Sequence, residues 1–519
     1  MSSSLPGLKS YLAGFYRSKT HPLKVQEELL FDILEKNKET MYGFEHDFSS
    51  VSSLSNFQSL PIITYEDIRS HVDMIAKGAK NVLTKDDVVS FAVTSGSTSA
   101  AKLIPVTKLR KSTFFRELAL YGFLHPSLMK DKMFYIAGPR KEKETLAHIP
   151  VGSISGYLVS LQPWVIRKRL VVPVEVYDIL DSNKKFTELA FHALKDSSIT
   201  HFSFSSAVEL LFFFDFIEKN FSSLLTRLKK EGFSSRAKQL EKSDKTPASI
   251  WPKVRAFSCV LSASNRLYLP KLFERFGKDS LEVYDPGVLA SEGRYTLTIR
   301  YEDGVPLAIP MVHNYVYEYA KQKKDGSFAK PVFVNKVKKN QKYKLIITSQ
   351  EGLYRYDTDD IFEVVDFEDK LPVLRFVSRA TCLNMAGELA AEENIVKAIT
   401  VAKDAVGLDA PVLLLPWFKE SEGKPCYDLH VGASPDEDLA LKFAARFDEE
   451  LSSLVYPYKR MRTFFARISF PRVTFVKAEG LQALQQERLS SSGQPKPLVV
   501  SPNESLREKL DILKVVEKK

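Results

Sequence analysis

Cysteine is scarce: Cys259, Cys382 and Cys426 are the only three in 519 residues, they lie far apart, and no C-x-x-C pair exists. That pattern excludes a zinc knuckle and a redox dithiol, and it fits a reducing compartment. Long apolar runs are lacking as well. The longest, around Leu210–Phe216, falls far short of the roughly 20 residues that a membrane helix needs. The N-terminal stretch MSSSLPGLKSYLAGFYR has no continuous apolar core of signal-peptide length. A soluble cytoplasmic protein is expected, with signal-less export left open. There is no internal repeat, no long low-complexity segment, and no nucleic-acid motif of the finger, RRM or basic-zipper kind. Neither a nucleic-acid nor a membrane partner is expected.

What is present describes a globular chain. Hydrophobic residues make up 44% and charged residues 27%, a composition that packs rather than stays disordered. The chain is too long for one ordinary core, so two or more domains are expected. The formal charge is +10 and the pI about 9.1. That excess favours anionic partners such as nucleotides, acidic metabolites or an acidic carrier, or is a basic surface with no special ligand.

The first ninety residues read as packing helices; Val25–Asn37 carries Leu29, Leu30, Ile33 and Leu34 at helical spacing. The β-rich run Val88–Val93 feeds a Ser/Thr/Gly cluster, and a basic, helix-forming stretch follows Pro105–Thr107. The middle repeats strand then helix: Thr200–Phe204 before Ala207–Asn220, Val254–Leu261 before Tyr268–Phe276, then the strand Leu281–Tyr284. This alternation predicts an α/β domain with substantial parallel sheet. Leu297–Ile299, Val312–Tyr319 and Lys344–Thr348 read as strands of a smaller β-rich subdomain. Beyond Arg379 comes a small α+β unit: a helix at Glu392–Val401, strands at Val412–Trp417 and Tyr427–Val431, a helix over Glu437–Leu454 and a strand at Arg472–Val476. Gln482–Pro497 is polar and without periodicity, which predicts a mobile loop.

The segment Thr94-Ser95-Gly96-Ser97-Thr98-Ser99-Ala100-Ala101-Lys102 carries the most chemistry. Small residues let backbone approach an oxyanion, hydroxyls and amides donate to phosphate oxygens, and a lysine adds a mobile positive charge. An ordinary Ser-rich surface turn has the same composition. A Walker A loop needs glycine where Ala101 stands, so that motif fails. Ser99-Ala100-Ala101-Lys102 fits the S-x-x-K of penicillin-recognising serine acylases, but no S-D-N or K-T-G partner follows. Gly152-Ser153-Ile154-Ser155-Gly156 suggests a nucleophile elbow, yet Ile154 occupies its central position.

Read through to Thr107, TSGSTSAAKLIPVT resembles the phosphate loop of the GH3 acyl-acid amido synthetases, a branch of the adenylate-forming, luciferase-like enzymes. Gly287-Val288-Leu289-Ala290-Ser291-Glu292-Gly293 resembles the family's second motif, which ends in A-[ST]-E-G. Gly352-Leu353-Tyr354-Arg355-Tyr356, with Asp360 beyond, resembles its third, G-L-Y-R-Y-x-x-G-D. Arg379 with Asn384 and Gly387-Glu388 is similar to the segment leading into the hinge, and Gly493-Gln494-Pro495-Lys496-Pro497 to the late G-Q-x-K-x-P loop. The five segments fall in the family's order over roughly residues 90–500, and the length suits its compact, microbial-looking members.

The resemblance implies a large N-terminal α/β domain with mixed and parallel sheets and a β-rich subdomain (residues 1–380), and a small mobile C-terminal α+β domain (381–519), hinged near 379–400. It implies Mg-ATP as cosubstrate, and a small carboxylic acid and an amine or amino acid as partners. Ser95, Gly96, Ser97, Thr98, Ser99 and Lys102 would hold phosphates, with Ser291 also at the nucleotide. Glu292 would bind Mg²⁺, a hard cation suited by carboxylate oxygen. Asp360 would accept from the ribose hydroxyls, Tyr356 would lie beside the nucleotide, and Arg379 would contact ribose or phosphate. Lys496 would arrive with the small domain and stabilise developing negative charge. The departures are Ser99 and Asp359 where the family keeps glycine, Leu389 where a lysine is usual, and Val288 where plant members often carry tyrosine. The expected activity is acid–amine ligation through acyl-AMP. An enzyme that stops at the adenylate or forms a thioester, and a degenerate fold retained for binding, remain open, as does the oligomeric state.

Overall fold

The computed structural model describes residues 8–518 apart from 95–101, 131, 205–206, 262, 278–280, 324–326, 380–381, 384, 386–387, 389, 420–423, 465–467, 492–497 and 502. The described residues fall into two compact units, with the division between 376 and 377.

The first unit opens with helices. Pro22–Asn37 starts on a proline, whose missing N–H is one that a first turn leaves unbonded anyway, and it buries Val25, Leu30, Ile33 and Leu34. Tyr65–Ala76 starts at a capping box: Thr64 and Asp67 exchange bonds, with Thr64 N donating to the Asp67 carboxylate at 2.7 Å. Next comes a small mixed sheet in the order Lys102–Thr107, Val88–Thr94, Pro150–Gly152, Lys143–Glu144.

The alternating middle of the chain folds as its pattern predicts. Met133–Tyr135, His201–Ser203, Ala256–Ser258 and Glu282–Tyr284 form a four-stranded sheet, parallel throughout. The helices Ser182–Lys195, Ala207–Lys230 and Ala263–Arg275 come from the intervening chain. Their core is strongly aromatic, with Phe213, Phe257 and Phe276 in the same cluster and Phe202 and Phe214 against the Trp251 ring. The indole N–H of Trp251 donates to the Ala193 carbonyl at 2.8 Å, so even this buried polar atom is bonded.

A six-stranded sheet follows, in the order Tyr315–Lys321, Gln341–Ser349, Tyr356–Glu368, Leu371–Arg379, Val305–Pro310, Thr296–Glu302. Tyr315, Tyr317 and Tyr319 alternate along the first of these strands, share one face and are all buried. The segment Asp357–Asp360, rich in aspartate, sits inside the strand Tyr356–Glu368 as a bulge.

In the second unit Val412–Lys419, Lys424–Val431, Arg472–Val476 and Ile512–Val516 form a mixed sheet, with helices Glu392–Val406 and Glu437–Leu454. Gln482–Pro497 is not a loop over its first ten residues: the helix Ala478–Ser491 runs through them. Leu481 and Leu484 anchor that helix against Leu413, Leu415, Val476 and Leu510, and good helix formers continue it. Among the described residues no helix is long and apolar enough to cross a membrane.

Candidate active site

The phosphate-loop segment joins two strands. Val88–Thr94 pairs antiparallel with Lys102–Thr107, with Thr94 opposite Lys102. Ser95, Gly96, Ser97, Thr98 and Ser99 lie outside the described residues. Lys102 opens the returning strand, its ammonium 5.7 Å from the centroid of the Tyr65 ring. The Tyr65 hydroxyl accepts the Leu103 N–H at 2.9 Å. Arg69 and, less strongly, Lys102 hold the Glu66 carboxyl below its ordinary range.

The second motif is a tight two-residue turn. Ala290 N donates to Gly293 O at 2.8 Å and Gly293 N to Ala290 O at 3.2 Å. Ser291 and Glu292 therefore stand at its tip, both partly exposed. Gly293 is required by its neighbour: a Cβ there would lie 2.4 Å from the Tyr315 hydroxyl oxygen.

In the third motif the first residues hold structure and the later ones face the turn. Gly352 has φ +99°, and Tyr354 is buried with its hydroxyl donating to Leu83 O at 2.7 Å. Arg355 is also buried; its guanidinium grips Glu318 at 2.8 and 2.9 Å and caps the Gln58 carbonyl at 2.9 Å. Tyr356 then places its hydroxyl 3.3 Å from Glu292 Oε1. Burial pushes the Tyr295 phenol far up, and the charges of Glu292, Tyr356 and Asp360 push it the same way. Asp360 is itself only 3% exposed. Asp359 has φ 63°, its N–H accepted by Asp357 Oδ1 at 2.9 Å. That left-handed backbone is the reason a glycine suits the position.

One segment unmarked by any motif ties these parts together. Ile63 bridges to Tyr356: its N–H donates to Arg355 O at 3.1 Å, and its carbonyl accepts Asp357 N–H at 2.8 Å. Two residues on, Tyr65 holds the Lys102 strand. The only trace of this in the sequence is the T-x-x-D capping signal at Thr64. Arg379 ends the strand Leu371–Arg379, and its side chain lies outside the described residues, as do Leu389 and Lys496.

Serine-hydrolase chemistry gains nothing here. Ser153 caps the helix Ile154–Ser160 by accepting the Ser155 N–H, and its hydroxyl lies 2.7 Å from that of Ser155. The donor set suits a metal that arrives with phosphates. Among the described residues no three His, Cys, Asp or Glu side chains form a metal cage, whereas Glu292 presents one partly exposed carboxylate at a turn tip. Mg²⁺ is commonly held by one or two carboxylates plus substrate phosphates.

A model of the GH3 family N-terminal domain matches residues 11–281, over half the chain, and one of the GH3 family central domain matches residues 308–379. The indole-3-acetic acid-amido synthetase GH3.2 of Arabidopsis thaliana is 23% identical, over 70% of this chain and 75% of its own. The indole-3-acetic acid-amido synthetase GH3.15 of the same plant is 24% identical, over 74% and 72%. The solved GH3.15 acyl acid amido synthetase in complex with 2,4-DB superposes with a TM-score of 0.81 over 99% of this chain and 98% of that one, at 19% identity. A 2-hydroxyisobutyryl-CoA ligase in its postadenylation state superposes with a TM-score of 0.54 over 95% and 92%, at 11% identity.

Proposed function

The chain belongs to the GH3 family, and from that premise we propose that it is an ATP-dependent ligase that joins a small carboxylic acid to an amine, that of an amino acid, through an acyl-adenylate. The observation that carries this reading is the contact of the Tyr356 hydroxyl with the Glu292 carboxylate, with Tyr356 tied through Ile63–Tyr65 to the Lys102 strand.

A carboxylate cannot shed its oxygen as hydroxide at neutral pH. In the first step a carboxylate oxygen bonds to the α-phosphorus of ATP and pyrophosphate leaves. In the second the amine nitrogen bonds to the acyl carbon, AMP departs with that oxygen, and the amine proton passes to solvent. Most of the work is positioning and charge stabilisation. Lys102 and the Ser95–Ser99 loop neutralise the phosphates, and Ser291 donates beside them. Glu292 would hold Mg²⁺, which when bound would offset phosphate charge. Asp360 accepts from the ribose diol, and Tyr356 flanks the nucleotide. Arg379 meets ribose or phosphate, and Lys496 meets the charge that develops on carbonyl and phosphate. Residues 1–380 and 381–519 act as the large and small domains.

The test is product analysis. The protein is incubated with Mg-ATP, pooled amino acids and a panel of acids that begins with indole-3-acetic acid, for which the relatives are named. Mass spectrometry showing an amide with stoichiometric AMP is the expected result. An acyl-thioester formed only when coenzyme A is added, with no amide, would replace ligation to an amine by thioester formation.

A further inference from the structure

Behind the Ser291–Glu292 turn lies a buried polar network that no motif marks. Arg110 is 2% exposed and Glu117 is fully buried. One guanidinium nitrogen of Arg110 donates to Glu117 at 3.0 Å and to the Tyr315 hydroxyl at 2.6 Å. That same hydroxyl accepts the backbone N–H of Arg294 at 3.2 Å, two residues after Glu292. The Arg294 side chain is fixed too: it lies 3.5 Å from the second Glu117 oxygen and donates to Pro286 O at 2.5 Å. Asn314 closes the set, donating to Glu117 at 3.0 Å and to the Tyr11 hydroxyl at 2.9 Å.

The other end of the network reaches the lysine. Arg110 sits in the first turn of the helix Lys108–Leu124, which is capped by Thr107, the last residue of the Lys102 strand. The Arg110 N–H donates to the Thr107 hydroxyl at 3.3 Å. A covalent and hydrogen-bonded path therefore runs from Lys102 through Thr107, Arg110 and Tyr315 to the end of the Glu292 turn. Buried ion pairs add little net stability against an apolar replacement, because desolvation offsets their attraction. What such a network supplies is fixed geometry, and both of its ends lie at groups assigned here to phosphate and metal.

We propose that Tyr315, oriented by Arg110 and Glu117, is a positioning residue for Glu292: its hydroxyl pins the Arg294 amide and so sets where the Glu292 carboxylate stands relative to Lys102. The inference rests on the ligase reading above, since it assigns Glu292 to a metal that arrives with ATP.

The test is calorimetry on the full chain, with ATP titrated in Mg²⁺ and, separately, in a chelator. Wild-type protein binds ATP more tightly with the metal, and Glu292→Ala abolishes that gain. Tyr315→Phe keeps the ring that fills the space beside Gly293 and removes only the hydroxyl. It is expected to cut the metal-dependent gain about fivefold, the worth of one neutral hydrogen bond, while metal-free ATP affinity stays within about twofold. Tyr177→Phe is the structural control. It deletes a buried hydroxyl that donates to Tyr135 O at 2.9 Å in the other aromatic core, and it leaves the gain unchanged. A full metal-dependent gain in Tyr315→Phe, or an equal loss in Tyr177→Phe, overturns the positioning role alone. Wild-type protein whose ATP affinity ignores Mg²⁺ overturns the ligase reading and this inference with it.

Discussion

Gly293→Ala should be far more damaging than its chemistry suggests. The added Cβ would lie 2.4 Å from the Tyr315 hydroxyl oxygen, 2.7 Å from Cζ and 2.8 Å from Cε1. The ring has little room to yield: Tyr315 is 1% exposed, and its hydroxyl is held by Arg110 and the Arg294 amide. Overpacking of a filled core costs about 1–3 kcal/mol. Pulling the hydroxyl off its partners adds about 1 kcal/mol. The expected loss is therefore about 2–4 kcal/mol, the sum of those two effects. Gly304→Ala is the matched comparison. Gly304 has φ +71° with nothing among the described residues within 4 Å of an added Cβ. Only the left-handed backbone is penalised there, at about 1–2 kcal/mol. Urea unfolding of the two variants beside wild type separates the terms. If Gly293→Ala unfolds at the same urea concentration as Gly304→Ala or a higher one, the packing argument is wrong.

Two further outcomes follow from single positions. At Asp359, with φ 63°, Asp359→Ala should lower stability by about 1 kcal/mol, whereas Asp359→Gly and Asp359→Asn should stay near wild type, because only alanine resists that backbone; equal urea midpoints for Ala and Gly would refute this. His313 packs edge-on to the rings of Tyr11 and Phe15, and burial holds its imidazole down to about 3 from an ordinary 6.5. Between those values the unfolded chain binds the extra proton, so this contribution is complete above the upper value and is lost as pH falls towards the lower one, by up to about 1.4 kcal/mol per pH unit. His313→Phe should therefore gain on wild type as the pH drops through that window. A constant difference in urea midpoints at pH 7 and pH 4.5 would contradict the assignment.

Much of the site could be read from the chain because its residues are local. Ser291 and Glu292 stand at a turn tip that the small residues around them permit, and Gly352 takes the positive φ that a motif glycine implies. The alternation of strand and helix between residues 200 and 284 gave the parallel sheet directly. Elsewhere composition masks geometry. Four residues rich in aspartate look like a turn, but a bulge in a strand meets the same need, since Asp tolerates the left-handed backbone at Asp359. The helix Ala478–Ser491 leaves little trace in the sequence because its anchoring apolar residues, Leu481 and Leu484, are few and its remainder is largely polar. The Arg110–Tyr315 bond spans 205 residues of sequence, and no local pattern announces such a partner.

The central claim, that this site adenylates a carboxylic acid, is tested most directly by ATP–pyrophosphate exchange without any amine. Labelled pyrophosphate is supplied with Mg-ATP and the acid panel, to wild type, Lys102→Ala and Glu292→Ala. Exchange that depends on one class of acid and is lost in both variants is the predicted result. Exchange that survives Glu292→Ala, or a wild-type protein that neither exchanges label nor binds Mg-ATP, would contradict it.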